Sequence, residues 1–321
     1  MSFELILPFL RPIEPLLLDE SVSEIMGNPD ASWFFERDGI LCREPNISFD
    51  AGRLRTGLEV IANQLGKKLD EDNPRLQAQL PDGSRLAAWI PPLVSPAPAI
   101  AIRKCTSRHY TVDDLIARGT LTQSIADLLA EQIRNGKTLL ISGGTGTGKT
   151  TLLRILANSI PEHERIVVIE DTPELQIRKP NIVAVGSQAN TFKTNVSFDD
   201  LLKDALRFRP DRIILGEVRG IEARTLLDSF NTGHAGSLAT IHANSAEKSL
   251  RRLANLVMRS HAQTTFSDTE AEIGEAVDFV VHVERRPGRR ILREVLVLRG
   301  YDRDAKRFLI EPVFEVQHAA A

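Results

Sequence analysis

Eight consecutive residues, Gly143-Gly144-Thr145-Gly146-Thr147-Gly148-Lys149-Thr150, carry the clearest chemistry in this chain. They match G-x-x-x-x-G-K-[ST], a loop that surrounds phosphate groups with backbone N–H donors. Glycine lets successive peptides turn their N–H groups inward, and the helix that must follow adds its positive dipole end. In that pattern Lys149 reaches the β- and γ-phosphates of ATP, and Thr150 ligates Mg²⁺. Gly143, Gly144, Thr145, Gly146, Thr147, Gly148 and Thr151 complete the nucleotide contacts. A glycine-rich turn can fit such a pattern by chance. Here Lys137–Ser142 reads as a short strand running into the loop, and Thr151–Ile160 as a helix stopped by Pro161, so the context fits on both sides.

Binding phosphate is not hydrolysis, which also needs metal ligands and a group to activate water. Two acidic clusters follow apolar strands. Ile166-Val167-Val168-Ile169 leads into Glu170-Asp171-Thr172-Pro173-Glu174, and Ile213-Ile214-Leu215-Gly216 leads into Glu217. Ligands of open α/β sheets gather at the carboxyl ends of strands, so both clusters should face the loop. We assign Glu217 to Mg²⁺, through water, and Glu174 to activation of the attacking water. A single strand-end acid reads equally well as a solvated loop residue; two of them downstream of a phosphate loop favour catalysis. A third constellation, Gly233-His234-Ala235-Gly236 to Ile241-His242, places glycine-flanked histidines about a strand. Such a histidine can sense a γ-phosphate or be a hydrogen-bonded core residue. A metal pair of His234 and His242 lacks further ligands nearby.

The elements that must position these groups fall into two styles. In the first part, Trp33–Arg37 and Ile40–Arg43 flank the turn Asp38-Gly39. Arg53–Leu65 has helical spacing, Leu76–Leu80 and Arg85–Ile90 flank Pro81-Asp82-Gly83, and Ala99–Lys104 reads as a further strand. This predicts an α+β domain over 1–104, a linker over 105–112 and a second domain over 113–321. Val112–Arg134 reads as a helical region. From Lys137 onward apolar strands alternate with helices, the rhythm of a largely parallel sheet. A long loop follows the strand at 166–169, and the last segments read as antiparallel strands. Arg285, Arg286, Arg289, Arg290 and Arg293 cluster around Pro287-Gly288, a turn between two such strands. That tip reads as either a solvated loop or a contact with an acidic partner or anionic lipid.

Composition bounds the classes. The chain has 321 residues, 42% hydrophobic and 26% charged, which fits a globular protein of two domains. A net charge of −3 and 5% aromatic residues argue against direct nucleic-acid binding. Cys42 and Cys105 are the two cysteines, too far apart for a zinc ribbon, and they fit a reducing compartment. No apolar run approaches the ~18 residues of a membrane span. The expectation is a cytoplasmic protein whose association with a membrane would be peripheral.

The segments GGTGTGKTTL, IEDTPELQ, LRFRPDRIILGEVRG and NTGHAGSLATIHANS occur in that order. They resemble the Walker A, Asp box, Walker B and His box of the secretion-superfamily ATPases, RecA-like hexameric motors of type IV secretion, conjugation, type II secretion and type IV pili. The resemblance is strong over about 137–260, and LPDGSRLAAWIPP with AIAIRK is similar to that family's N-domain. The sequence is most similar to the TrbB-like conjugative-transfer branch, with Flp or type IV pilus assembly ATPases as the alternative and a nucleic-acid translocase further off. The resemblance implies an α/β fold, a RecA-like P-loop ATPase domain preceded by a smaller α+β N-terminal domain. It also implies a homo-hexamer docked on an inner-membrane secretion or conjugation machine. It places His242 in the His box and Arg85 and Arg103 near the nucleotide phosphates, and it lets Arg209 and Arg219 complete a neighbouring site.

Overall fold

The computed structural model of the protein describes residues 3–37, 39–105, 110–171, 174–186, 196–260, 264–286 and 288–316, with backbone alone for residues 3–5. Asp38 of the first hairpin turn, 106–109 of the linker, Thr172 and Pro173 of the first acidic cluster, and Pro287 lie outside the described residues. The chain divides into two compact units, Met1–His109 and Tyr110–Ala321.

In the first unit, period-2 alternation builds one antiparallel sheet with a covered and an open face. Its strands are β1 (Val22–Gly27), β2 (Trp33–Arg37), β3 (Ile40–Glu44), β4 (Arg75–Gln79), β5 (Arg85–Trp89) and β6 (Ala99–Arg103), in the order β3-β2-β1-β6-β5-β4. Leu76, Leu86, Ile100, Ile102 and Ile25 turn one way. They pack with Leu54, Leu58 and Ile61 of helix α3 (Ala51–Gln64), which Asp50 caps through the N–H of Arg53. Helices α1 (Phe3–Leu10) and α2 (Glu14–Leu18) complete this layer. Gly57 lets α1 approach α3: a Cβ there would stand 2.5 Å from Phe9 Cβ. The alternate residues face away from this core, so Arg85 and Arg103 stand directly opposite each other on the open face. Strand β1 carries no strong sequence signal; the sheet recruits it between β2 and β6.

The second unit is built on an eight-stranded sheet ordered β14-β13-β12-β7-β11-β10-β8-β9. Six strands are parallel: β7 (Leu139–Gly143), β8 (Ile166–Glu170), β9 (Ile182–Gly186), β10 (Arg212–Val218), β11 (Leu238–His242) and β12 (Phe279–Arg286). Strands β13 (Arg289–Asp302) and β14 (Arg307–Glu315) continue it antiparallel. Buried side chains cover both faces of the central strands, so these read as unbroken apolar runs. Helices α4 (Val112–Ala117), α5 (Gln123–Arg134), α6 (Lys149–Ala157), α7 (Phe198–Ala205), α8 (Glu222–Asn231), α9 (Ala246–Met258) and α10 (Phe266–Ala276) supply the outer layers. The helical region expected over 112–134 is two helices, because Gly119 takes φ +65° and Thr122 starts a new cap. The loop expected after 170 contains the edge strand β9, too short for its own periodicity to reveal. Among the described residues no helix is long and apolar enough to cross a membrane.

Among the described residues, five helices of this unit start at a hydroxyl cap. Thr111, Thr122, Ser197, Ser245 and Thr265 cap α4, α5, α7, α9 and α10 with their hydroxyls. Helix α6 begins at Gly148, which offers no side-chain cap, so its first N–H groups are left for something else.

Candidate active site

The phosphate loop joins β7 to α6 at the carboxyl end of the parallel strands. Gly146 and Gly148 take φ +70° and +93°, a region that side-chain-bearing residues avoid. At Gly143 the limit is space: a Cβ would lie 2.5 Å from the Val283 carbonyl. Thr147 Oγ1 donates to Gly144 O at 2.9 Å and tightens the turn. Lys149 is buried, and its Nζ donates to Gly143 O at 3.0 Å and Gly144 O at 2.7 Å. Its ammonium therefore lies back over the loop. Thr150 and Thr151 are half-buried in the first turn of α6, and Thr145 is exposed at the loop crest.

Strand β11 lies beside β7 with His242 in register with Gly143. Both His242 ring nitrogens are 3.5 Å from Lys149 Nζ. On its other side His242 Nε2 is 3.2 Å from Glu217 Oε1. Glu217 reaches this position through a bulge. Leu215 pairs with Ala239 and Val218 with Ile241, so β10 carries one extra residue there. Such an insertion re-aims side chains at a strand end. Arg219 grips Glu217 with two bonds, Nε to Oε1 and Nη2 to Oε2, each 2.9 Å, and reaches Asp171 at 3.4 Å. Burial pushes the Glu217 carboxyl up, but the Arg219 bonds and the charges of Arg219, His242 and Lys149 outweigh it, so its pKa is lowered. His242 is held below the usual histidine range by burial and then by the Lys149 charge. A neutral imidazole between a cation and a carboxylate can accept or donate one hydrogen bond as its neighbours change.

The first acidic cluster divides its labour. Glu170 is buried at the end of β8, and its Oε2 accepts from the N–H groups of Glu174 and Leu175, each at 2.8 Å. Leu175 is fully buried just beyond. Glu170 therefore anchors the backbone that carries the half-buried Glu174. In sequence Glu170 is one member of an acidic run, and its place directly after four buried residues is what marks it out.

The fold separates residues that the sequence groups together. His234 does not share the site: it precedes β11, at the amino end of the sheet, and its Nδ1 lies 3.3 Å from Ser229 O. The five-residue strand between the two histidines makes a shared metal site geometrically inaccessible. Arg209 is exposed before β10, at that same amino end, whereas Arg219 serves Glu217 of its own chain. The arginines of the β12–β13 hairpin do not form one solvated tip. Arg293 is buried, and Arg290 Nε donates to Gly146 O at 2.9 Å.

A family model described as type II/IV secretion system protein matches residues 10–292 of the chain. The conjugal transfer protein TrbB of Rhizobium radiobacter is 37% identical over 291 residues, which cover 88% of this chain and 85% of that one. The type IV secretion system protein VirB11 of Bartonella quintana is 30% identical over 332 residues, covering 91% and 92%. Among solved structures, the VirB11 ATPase from the Brucella suis type IV secretion system, in complex with sulphate, is similar with a TM-score of 0.51 at 28% identity, covering 91% of this chain and 94% of that one.

Proposed function

This chain belongs to the type II/IV secretion system protein family, and from that premise we propose that it is the ATP-hydrolysing hexameric motor of a conjugative-transfer or type IV secretion machine. Its fold is a RecA-like P-loop ATPase domain preceded by a smaller α+β domain. The observation that carries the chemistry is the chain Lys149–His242–Glu217, joined by distances of 3.5 and 3.2 Å at the carboxyl end of the sheet.

When ATP enters, Lys149 exchanges two loop carbonyls for phosphate oxygens, and the uncapped start of α6 donates its N–H groups. The Thr150 hydroxyl, and the ionised Glu217 carboxylate through water, would hold a Mg²⁺. That ion would neutralise charge building on the phosphates. Glu174 accepts a proton from the attacking water, and Glu170 holds its backbone while it does so. His242, in reach of both Lys149 and Glu217, registers whether the γ-phosphate is present. Arg85 and Arg103, paired across β5 and β6, supply guanidinium groups to the developing phosphoryl charge.

The names of the relatives support conjugal transfer and type IV secretion as the process served. The partners are further copies of this chain and inner-membrane proteins of that machine, and the motor works from the cytoplasmic side. Purified full-length protein should hydrolyse ATP with Mg²⁺ and elute in light scattering as a hexamer. A fully active monomer would remove the ring from this reading. Arg103→Ala should lower kcat without lowering Tm; a parental kcat would remove Arg103 from the site.

A further inference from the structure

Five arginines that look alike in sequence receive separate places in the fold. Across the β12–β13 hairpin His282 pairs with Glu294 but Val283 pairs with Leu292, so Arg293 is an inserted bulge residue. It is buried and faces Glu284 at 3.8 Å, and Arg286 faces the same carboxylate at 3.7 Å. Arg285 and Arg290 differ from these. Strand β12 runs parallel to β7 with Val283 in register with Gly143, so both strands leave the sheet at the same end. Arg285, two residues beyond, arrives beside the phosphate loop. Its Nη1 lies 3.4 Å from where a Cβ on Gly146 would stand, and Arg290 Cδ lies 3.3 Å from the equivalent point on Gly148. Arg290 Nε donates to Gly146 O at 2.9 Å.

Two consequences follow from elementary chemistry. A trans peptide is planar, with its C=O and the next N–H pointing opposite ways. A guanidinium that draws the Gly146 carbonyl outward therefore turns the Thr147 N–H toward the loop interior. Secondly, Arg285 and Arg290 are direct cross-strand partners, so the pairing of β12 with β13 brings two guanidinium groups to the loop side by side.

We propose that the β12–β13 hairpin is part of the nucleotide site. Arg290 is a positioning residue that sets the 146–147 peptide for phosphate binding, and Arg285 adds a second cation to the polyphosphate of the bound nucleotide. This rests on the reading of the loop as an ATP site. The test uses the full chain, with ATP and ADP titrated calorimetrically against Arg290→Ala, Arg285→Ala, Arg290→Lys and Arg289→Ala, alongside steady-state ATPase. Arg290→Ala should weaken both nucleotides about tenfold or more and raise KM while kcat at saturation changes little. Arg290→Lys should recover part of that loss, and Arg285→Ala should weaken ATP more than ADP. Arg289, exposed on the same hairpin, should be replaceable without effect. Parental affinity in Arg290→Ala, or an equal loss in Arg289→Ala, overturns the proposal while the ATP reading stands. Failure of the parent chain to bind ATP removes both. Thermal melting without nucleotide shows whether Arg290→Ala is folded; if it is not, the Arg290→Lys and Arg285→Ala titrations decide in its place.

Discussion

The two ends of the parallel sheet each hold a buried cation among glycines, and they use it differently. At the amino end Arg212 is 4% exposed, its Nε and Nη2 bonded to the two carboxylate oxygens of Glu164 and its Nη2 also to Ile133 O at 3.2 Å. Gly236 exists to admit it: a Cβ there would fall 1.4 Å from Arg212 Nη1. At the carboxyl end Lys149 is 7% exposed, yet the bonds described for it run to two loop carbonyls and a neutral imidazole. A guanidinium locked on its carboxylate has its charge neutralised within the fold, even though the buried Nη1 of Arg212 has no hydrogen bond among the described residues. An ammonium held on carbonyls gains by exchanging them for a better acceptor. Burial and nearby glycine therefore do not distinguish a functional cation from a structural one; partner chemistry does.

The sharpest way to break that comparison is to remove each cation. Lys149→Ala should reduce kcat/KM about 10³-fold, through binding as well as turnover, while leaving the unfolding midpoint near that of the parent. A large loss of stability would mean that Lys149 is structural too. Glu174→Gln should lower kcat about 10²–10³-fold with ATP affinity within about twofold, because only the proton acceptor is lost. If titration shows the same loss of affinity as Lys149→Ala, Glu174 is not the base. Arg212→Ala should do the reverse of both, costing about 3 kcal/mol in urea unfolding by stranding the Glu164 carboxylate, with turnover per folded molecule retained.

The smallest expected effect is on pH dependence, and it sharpens the same contrast. His242 is lowered from 6.5 by burial and Lys149, and His282, bonded to Ser142 Oγ at 2.8 Å, is lowered by burial first. Both stay neutral in the folded chain while the unfolded chain takes up protons. Their contribution is complete above about pH 6.5 and is lost as pH falls from there toward the folded values. Glu217, lowered from 4.5, contributes above that value and loses its effect only as pH falls through its folded pKa. The urea midpoint should thus drop between pH 7.5 and 5.5. His282→Gln should flatten part of the drop, as should Lys149→Ala by relieving His242. Equal parental midpoints at the two pH values would deny both histidines this role.

Much of the site was legible because it is local. The loop from Gly143 to Thr150, the acids placed directly after apolar strands, and the Ser and Thr caps depend on neighbours a few residues away, and short-range backbone geometry writes them into the sequence. Even the missing cap on α6 can be read from Gly148. What the sequence left open depends on contacts between distant segments. His234 and His242 look equivalent until strand direction sends them to opposite ends of β11. Glu217 turns toward His242 only because β10 carries a bulge against β11. The hairpin arginines read as one basic tip until the pairing of β12 with β7 brings Arg285 and Arg290 over the phosphate loop and the bulge at Arg293 withdraws that side chain into the interior. Residue type and spacing determined which groups could do chemistry. Strand order and register, set by burying both faces of one sheet, decided which of them meet, because those pairings join residues tens of positions apart, and 140 apart for β7 with β12, that no local pattern can encode.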